Sequence, residues 1–170
     1  MKKIAKFEKI SLKQFVSDWL DTFGNYDDNT LIEIYDKIKL PERATVGSAG
    51  YDFCSPVELV LLPGKSIKIP TGIRCKINDG WMLQCYPRSG LGFKYRLRLD
   101  NTVGIIDSDF YHSNGEGHIF LKFSNETNEN KTIHIYAGDR IAQGIFMEYG
   151  ITYDDNAGGV RNGGCGSTGK

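Results

Sequence analysis

Asn101-Thr102-Val103-Gly104-Ile105-Ile106-Asp107-Ser108-Asp109-Phe110 is the stretch that decides what kind of chain this is. It predicts an apolar strand or hairpin that ends in two carboxylates. Working outward, short β-rich segments flank it on both sides: Leu31–Ile38, Ile67–Ile69, Gly72–Ile77, Trp81–Tyr86, Ile119–Phe123 and Thr132–Tyr136. Gly, Pro, Asn and Asp punctuate them. Regular short strands without intervening helices predict an all-β barrel, jelly roll or sandwich.

The two ends differ from this middle. Ser11-Leu12-Lys13-Gln14 is a capping-box pattern. Leu12, Phe15, Val16, Trp19, Leu20 and Phe23 then follow at steps of 3, 1, 3, 1 and 3, which predicts one amphipathic helix, stopped by Gly24 and Asn25. Residues 1–30 are therefore read as an N-terminal helical extension, 31–153 as the β core and 154–170 as a C-terminal arm. The arm holds six glycines between Gly158 and Gly169, with Arg161, Ser167 and Thr168 among them. Composition alone suits a disordered tail. It equally suits an arm that orders over a phosphate, since glycine lets backbone N–H groups turn inward on an anion. Gly164 to Lys170 formally matches a P-loop pattern, but it has no following Ser or Thr and no helix after it.

The 170 residues fit one domain, and 40% are hydrophobic, enough for a real core. Lysine and arginine total 21, as do aspartate and glutamate. That balance argues against nucleic-acid and membrane-surface partners, which need a positive excess. Cys54, Cys75, Cys85 and Cys165 form no CxxC pair, and His112, His118 and His134 no HxxxH pair, so no zinc site is expected. Met1-Lys2-Lys3-Ile4-Ala5-Lys6 is too charged to open an apolar leader, which predicts an intracellular, cytoplasmic protein.

Four internal clusters carry chemistry-bearing residues. Ser48 to Asp52 sets a carboxylate among small residues. Pro87-Arg88-Ser89-Gly90-Leu91-Gly92 sets a guanidinium beside a hydroxyl, a good phosphate grip. Asn101 to Phe110 is the third, and Gly138-Asp139-Arg140-Ile141-Ala142-Gln143 the fourth. In this order, with the arm as a fifth, they resemble the motifs of the trimeric dUTPase family. The resemblance spans about Leu31 to Gly169. The N-terminal segment is similar to a variant of Gram-positive bacteria and their phages.

The resemblance implies a jelly-roll-like β-barrel, a homotrimer with sites shared by three subunits, and hydrolysis of dUTP to dUMP and pyrophosphate with Mg²⁺. The first, second and fourth motifs would come from one subunit, the third from another and the arm from the last. Asp107 is implied as the base that activates water. Asn101, Gly104 and Ile106 would read uracil. Arg88, Ser89, Gly90 and Gln143 would hold phosphates, and Asp52 would face the metal through water. Phe110 stands where the family has a tyrosine under the deoxyribose. Arg161 would take the γ-phosphate, with Gly164, Cys165, Gly166, Ser167 and Thr168 closing over the ligand. Arg140 and Asp139 are given structural roles.

Two departures stand out. Cys165 occupies a position where the family usually stacks Phe on uracil. The link from Tyr111 to His118 is longer than the family's usual connection. A dCTP deaminase shares the fold but has a catalytic Glu where this chain has Asp107. A regulator that binds a protein partner, as a phage-encoded member could, would use the Leu12–Phe23 helix or the 111–117 loop. Restoring the aromatic ring provides a test. Aromatic–base stacking is worth about 1–3 kcal/mol, so Cys165→Phe should tighten binding of a non-hydrolysable dUTP analogue in calorimetric titration. Equal or weaker affinity would mean either that another side chain covers the base or that the arm takes another path.

Overall fold

The computed structural model describes residues 1–163, so Gly164, Cys165, Gly166, Ser167 and Thr168 lie outside the described residues. In chain order the elements are β1 (Ala5–Lys9), α1 (Leu12–Phe23), α2 (Asp28–Lys37), β2 (Glu42–Arg43), β3 (Tyr51–Cys54), β4 (Leu59–Leu61), β5 (Ser66–Pro70) and β6 (Ile73–Ile77). Then come β7 (Trp81–Pro87), α3 (Ser89–Tyr95), β8 (Leu97–Leu99), β9 (Gly104–Ile106), a 3-10 turn (Ser108–His112), β10 (Phe120–Asn125), β11 (Ile133–Ile135) and β12 (Arg140–Glu148).

The strands form an all-β jelly-roll body. Its largest sheet has the order β2-β3-β12-β7-β9; a second has the order β5-β10-β8, and β1-β6 and β11-β4 are two-stranded ribbons. Each pairing is antiparallel. Alternation sets the inner face. Along β7, Leu83 and Cys85 point inward; along β10, Leu121, Phe123 and Asn125 do. Asn125 is fully buried, and its amide donates to the carbonyls of Leu61 and Lys131, both at 2.9 Å. A buried amide so satisfied costs little and ties three segments together.

The N-terminal extension is larger than its periodicity predicts. β1 pairs with β6, and a second helix follows α1. Leu31–Ile38, expected as a strand, is almost all α2, so a boundary at residue 30 cuts a helix. The apolar residues Leu31, Ile34, Tyr35 and Ile38 stand at helical spacing, a local signal that the strand reading passed over. Burial agrees: these four pack inward, while Ile32 is exposed. The Asp27 side chain caps the helix, accepting from the Thr30 N–H at 2.9 Å.

Helix α1 follows its stripe. Phe15 and Trp19 are fully buried, with ring centroids 5.2 Å apart. Either truncated to alanine would cost about 3–5 kcal/mol. The two helices close tightly on the barrel at Gly72, which has φ +74° and where a Cβ would stand 2.3 Å from Ile38 Cδ1. Ser11 Oγ accepts from the Gln14 N–H at 3.1 Å, as the capping pattern predicts. The reciprocal half of the box is not made by Gln14, whose amide donates to Asp18. Glu116 makes it instead, accepting from the Ser11 N–H at 2.7 Å.

His118 is buried under α1. Its Nδ1 lies 2.6 Å from Asp18 Oδ2, and its Nε2 accepts the Gly72 N–H at 2.8 Å. Both bonds are made only by the neutral ring with its proton on Nδ1. Burial pushes the imidazole below its ordinary 6.5 despite the pull of Asp18. Burial opposes ionisation of Asp18 too, but hydrogen bonds from His118 and Gln14 outweigh it and hold that carboxyl below its ordinary value.

Unfolding therefore takes up a proton on His118 in the window just below pH 6.5. The stability this group contributes is full above that value and declines as pH falls through it. The melting temperature should drop from about pH 7.5 to about pH 5.5. A His118→Gln variant should be less stable at neutral pH yet show a flatter slope. An equal slope in the variant would place the acid sensitivity elsewhere.

Candidate active site

Two clusters of site residues lie on the five-stranded sheet, with β7 common to both. At one end, Asp52 in β3 pairs with Gln143 in β12, which pairs in turn with Tyr86 in β7. Asp52 is only 7% exposed. Its Oδ1 accepts from Arg88, just past β7, and its Oδ2 lies 3.3 Å from Arg140 at the start of β12. Two guanidiniums thus converge on one buried carboxylate, and the pair carries a net positive charge toward solvent. Ser89 and Gly90 open α3 beside Arg88 and are exposed. The Gln143 amide donates to the Pro87 carbonyl at 3.5 Å. This end offers donors and positive charge, which suits an anion with several oxygens.

The second cluster lies on β9 and its flanks. Thr102 turns the chain at φ 67°, and the Val103 N–H donates to the Asn101 carbonyl at 2.7 Å. Gly104 is buried and opposes Cys85; Ile106 opposes Leu83. Ile106 and Phe110 pack against the core, while Ile105 faces outward. Asp107 leaves β9 extended (φ −80°, ψ 162°) and leads into the 3-10 turn. Arg161 returns from the arm to meet it. Its Nη2 donates to Asp107 Oδ2 at 2.5 Å and its Nε to Asp109 Oδ1 at 2.7 Å. The guanidinium carbon stands 5.9 Å from the Phe110 ring centroid.

Most residues singled out from sequence therefore fall into two groups, Asp52–Arg88–Ser89–Gly90–Gln143 and Asn101–Gly104–Ile106–Asp107–Phe110–Arg161. Four details differ from expectation. The resemblance implies that the arm and the third motif come from different subunits, whereas here Arg161 rests on Asp107 of its own chain. Asp52 is not an open metal ligand, because both oxygens face arginines. Among the described residues no group of three or more His, Cys, Asp or Glu is arranged to hold a metal. Arg140 joins the Asp52 cluster, and Asp109, given no role from sequence, shares Arg161 with Asp107. The Asp-Ser-Asp repeat was the available signal for Asp109; nothing local marked Arg140, because register alone brings it to Asp52.

The groups do not meet within one chain. Ile106 pairs with Leu83, and Arg88 lies five residues further along the same extended strand. At the usual strand rise that is about 16 Å. Asp107 lies one residue further still, beyond Ile106.

Comparisons with known proteins agree with this arrangement. The family model described as dUTPase matches residues 36–169. A deoxyuridine 5'-triphosphate nucleotidohydrolase of Lactococcus lactis is 38% identical over 135 residues, covering 78% of this chain and 89% of the relative. The crystal structure of a dUTPase from Streptococcus mutans superposes with a TM-score of 0.63 at 33% identity, covering 86% of this chain and 97% of that one. A dUTPase of phage phi11 of S. aureus, described with a structural Mg(II) ion, shares the fold at 18% identity, with a TM-score of 0.63 and coverage of 92% and 98%. A jelly-roll body, a hairpin ending in paired carboxylates and an arm arginine resting on them agree with the match of nearly the whole chain, and the chain belongs to the dUTPase family.

Proposed function

We propose that this protein is a dUTP diphosphatase of nucleotide metabolism, which hydrolyses dUTP to dUMP and pyrophosphate, with Asp107 as the base. The observation that carries this reading is the contact of Arg161 with Asp107, which joins an arm suited to phosphate to the carboxylate that ends the apolar hairpin. Water attacks the α-phosphorus. Asp107 accepts the water's proton, the bond from the α-phosphorus to the bridging oxygen breaks, and pyrophosphate leaves with that oxygen.

Each other residue positions or neutralises. Main-chain groups from Asn101 to Ile106 read uracil, and the Phe110 ring lies against the deoxyribose. Arg88, Ser89, Gly90 and Gln143 hold phosphate oxygens, and Arg161 moves from carboxylate to γ-phosphate. The role that the resemblance gives Gly164, Cys165, Gly166, Ser167 and Thr168, closing over the ligand, falls outside the described residues. Mg²⁺ enters as part of the substrate, bound by the triphosphate and its own waters. Asp52 serves it only indirectly, by fixing the two arginines.

Because Asp107 and Arg88 are too far apart in one chain to grip one triphosphate, a second copy supplies the missing half. A homotrimer closes such a ring with identical contacts. Free thiols at Cys54, Cys75 and Cys85 accord with the cytoplasm.

Pyrophosphate release from dUTP, compared with dCTP, dTTP and UTP, tests the activity directly. Turnover of dCTP instead would reject the assignment. Asp107→Asn should keep nucleotide binding and lower kcat by about a hundredfold or more. Near-normal turnover in the folded variant would remove Asp107 from the chemistry. Deleting the chain from Gly158 should barely alter melting without ligand, since residues 158–160 are exposed and Arg161 meets half-exposed carboxylates. It should severely weaken triphosphate binding. Dissociation or unfolding of the truncated protein would make the arm structural.

A further inference from the structure

The long link from Tyr111 to His118 directly follows the Asp107–Phe110 stretch, and three of its polar side chains, Tyr111, Glu116 and His118, find partners in the N-terminal extension. The Tyr111 hydroxyl donates to Glu8 of β1 at 2.6 Å. Glu116 accepts from both Ser11 Oγ, at 2.6 Å, and the Ser11 N–H. His118 reaches Asp18 of α1.

These contacts are built rather than loose. Glu8 is also held by Lys6 at 2.9 Å and Arg74 at 3.2 Å, and Arg74 lies 4.5 Å from the Tyr111 ring centroid. The Tyr111 hydrogen bond and Lys6 together push the Glu8 carboxyl down to about 2.

The link is just as firmly joined to the catalytic turn. Tyr111 and Phe110 share the 3-10 turn Ser108–His112. Gly117, at φ +70°, folds back so closely that a Cβ there would stand 2.7 Å from both the Phe110 carbonyl oxygen and Tyr111 Cα. Backbone rests on backbone, so Tyr111 cannot shift without Phe110.

We propose that Tyr111 and His118, anchored by Glu8 and Asp18, are positioning residues for the reaction. The N-terminal strand and helix act as a strut that sets the Phe110 ring and the Asp107 carboxylate at the distance catalysis needs. The inference rests on the roles given above to Asp107 and Phe110. Small displacements matter here, because a misplacement of about 1 Å can cost about a hundredfold in rate.

The test is steady-state hydrolysis of dUTP with Mg²⁺ by Tyr111→Phe, Glu8→Ala, the double variant and Glu8→Gln. Tyr111→Phe loses one hydroxyl and keeps the ring under Arg74, so it carries the test even if Glu8→Ala fails to fold. Both single variants should lower kcat by about tenfold, with KM changed by less than about threefold. The double variant should be no worse than either single one, since both remove the same bond. Glu8→Gln, which keeps an acceptor, should recover most of the rate. Wild-type kcat in Tyr111→Phe with only a lowered melting temperature would overturn the proposal, as would losses that multiply in the double variant. If Asp107→Asn abolishes turnover while Tyr111→Phe does not, this inference alone fails. If Asp107→Asn stays active, the reading beneath it fails.

Discussion

Hydrogen bonding of β7 to β12 on one side and to β9 on the other fixes where every charged group of the site can stand. The β12 pairing brings Gln143 beside Tyr86 and leaves Arg88 free to turn onto Asp52. The β9 pairing locks Gly104 opposite Cys85, so Asp107 emerges near the other end of β7. A slip of one residue would turn Leu83 and Cys85 out of the core, so burial protects the register. An extended strand cannot be shortened either. Arg88 and Asp107 are therefore held apart by the same bonds that hold the sheet.

The two arginine–carboxylate contacts look alike and differ in burial, which gives them different work. Asp52 is nearly inaccessible, and removing its arginines would leave an uncompensated buried charge, a loss of about 3–5 kcal/mol in comparable pairs. That pair is permanent. Asp107 and Asp109 are about half exposed, so on their side the contact with Arg161 stands open to water. Asp52 thus holds a shielded contact, and Asp107 and Asp109 an open one.

Much of this was legible in the sequence because it is local. The α1 stripe, the Asn101–Phe110 hairpin and the Arg88-Ser89-Gly90 turn each announce themselves within a dozen residues. What escaped depends on partners far along the chain. Leu31–Ile38 is the exception: it reads as a strand by its β-rich composition, yet Leu31, Ile34, Tyr35 and Ile38 already stand at helical spacing. Asp52 beside small residues reads as an open carboxylate until β12 brings Arg140 to it. Glu116, the reciprocal cap of α1, lies 105 residues from Ser11, beyond the reach of any local pattern.

That long-range cap explains why the extension and the 111–118 link belong together. A twelve-residue helix is marginal on its own. Helix α1 is completed from outside by Glu116 at its N-terminus, by His118 against Asp18, and by the barrel floor under Phe15 and Trp19. The link in turn has few apolar residues to bury and takes its shape from the same bonds. Neither piece specifies its own conformation, and each supplies what the other lacks. The coupling runs through backbone contact at Gly117 into Phe110. The 111–118 link is thereby built into the frame of the Ser108–His112 turn instead of hanging from it.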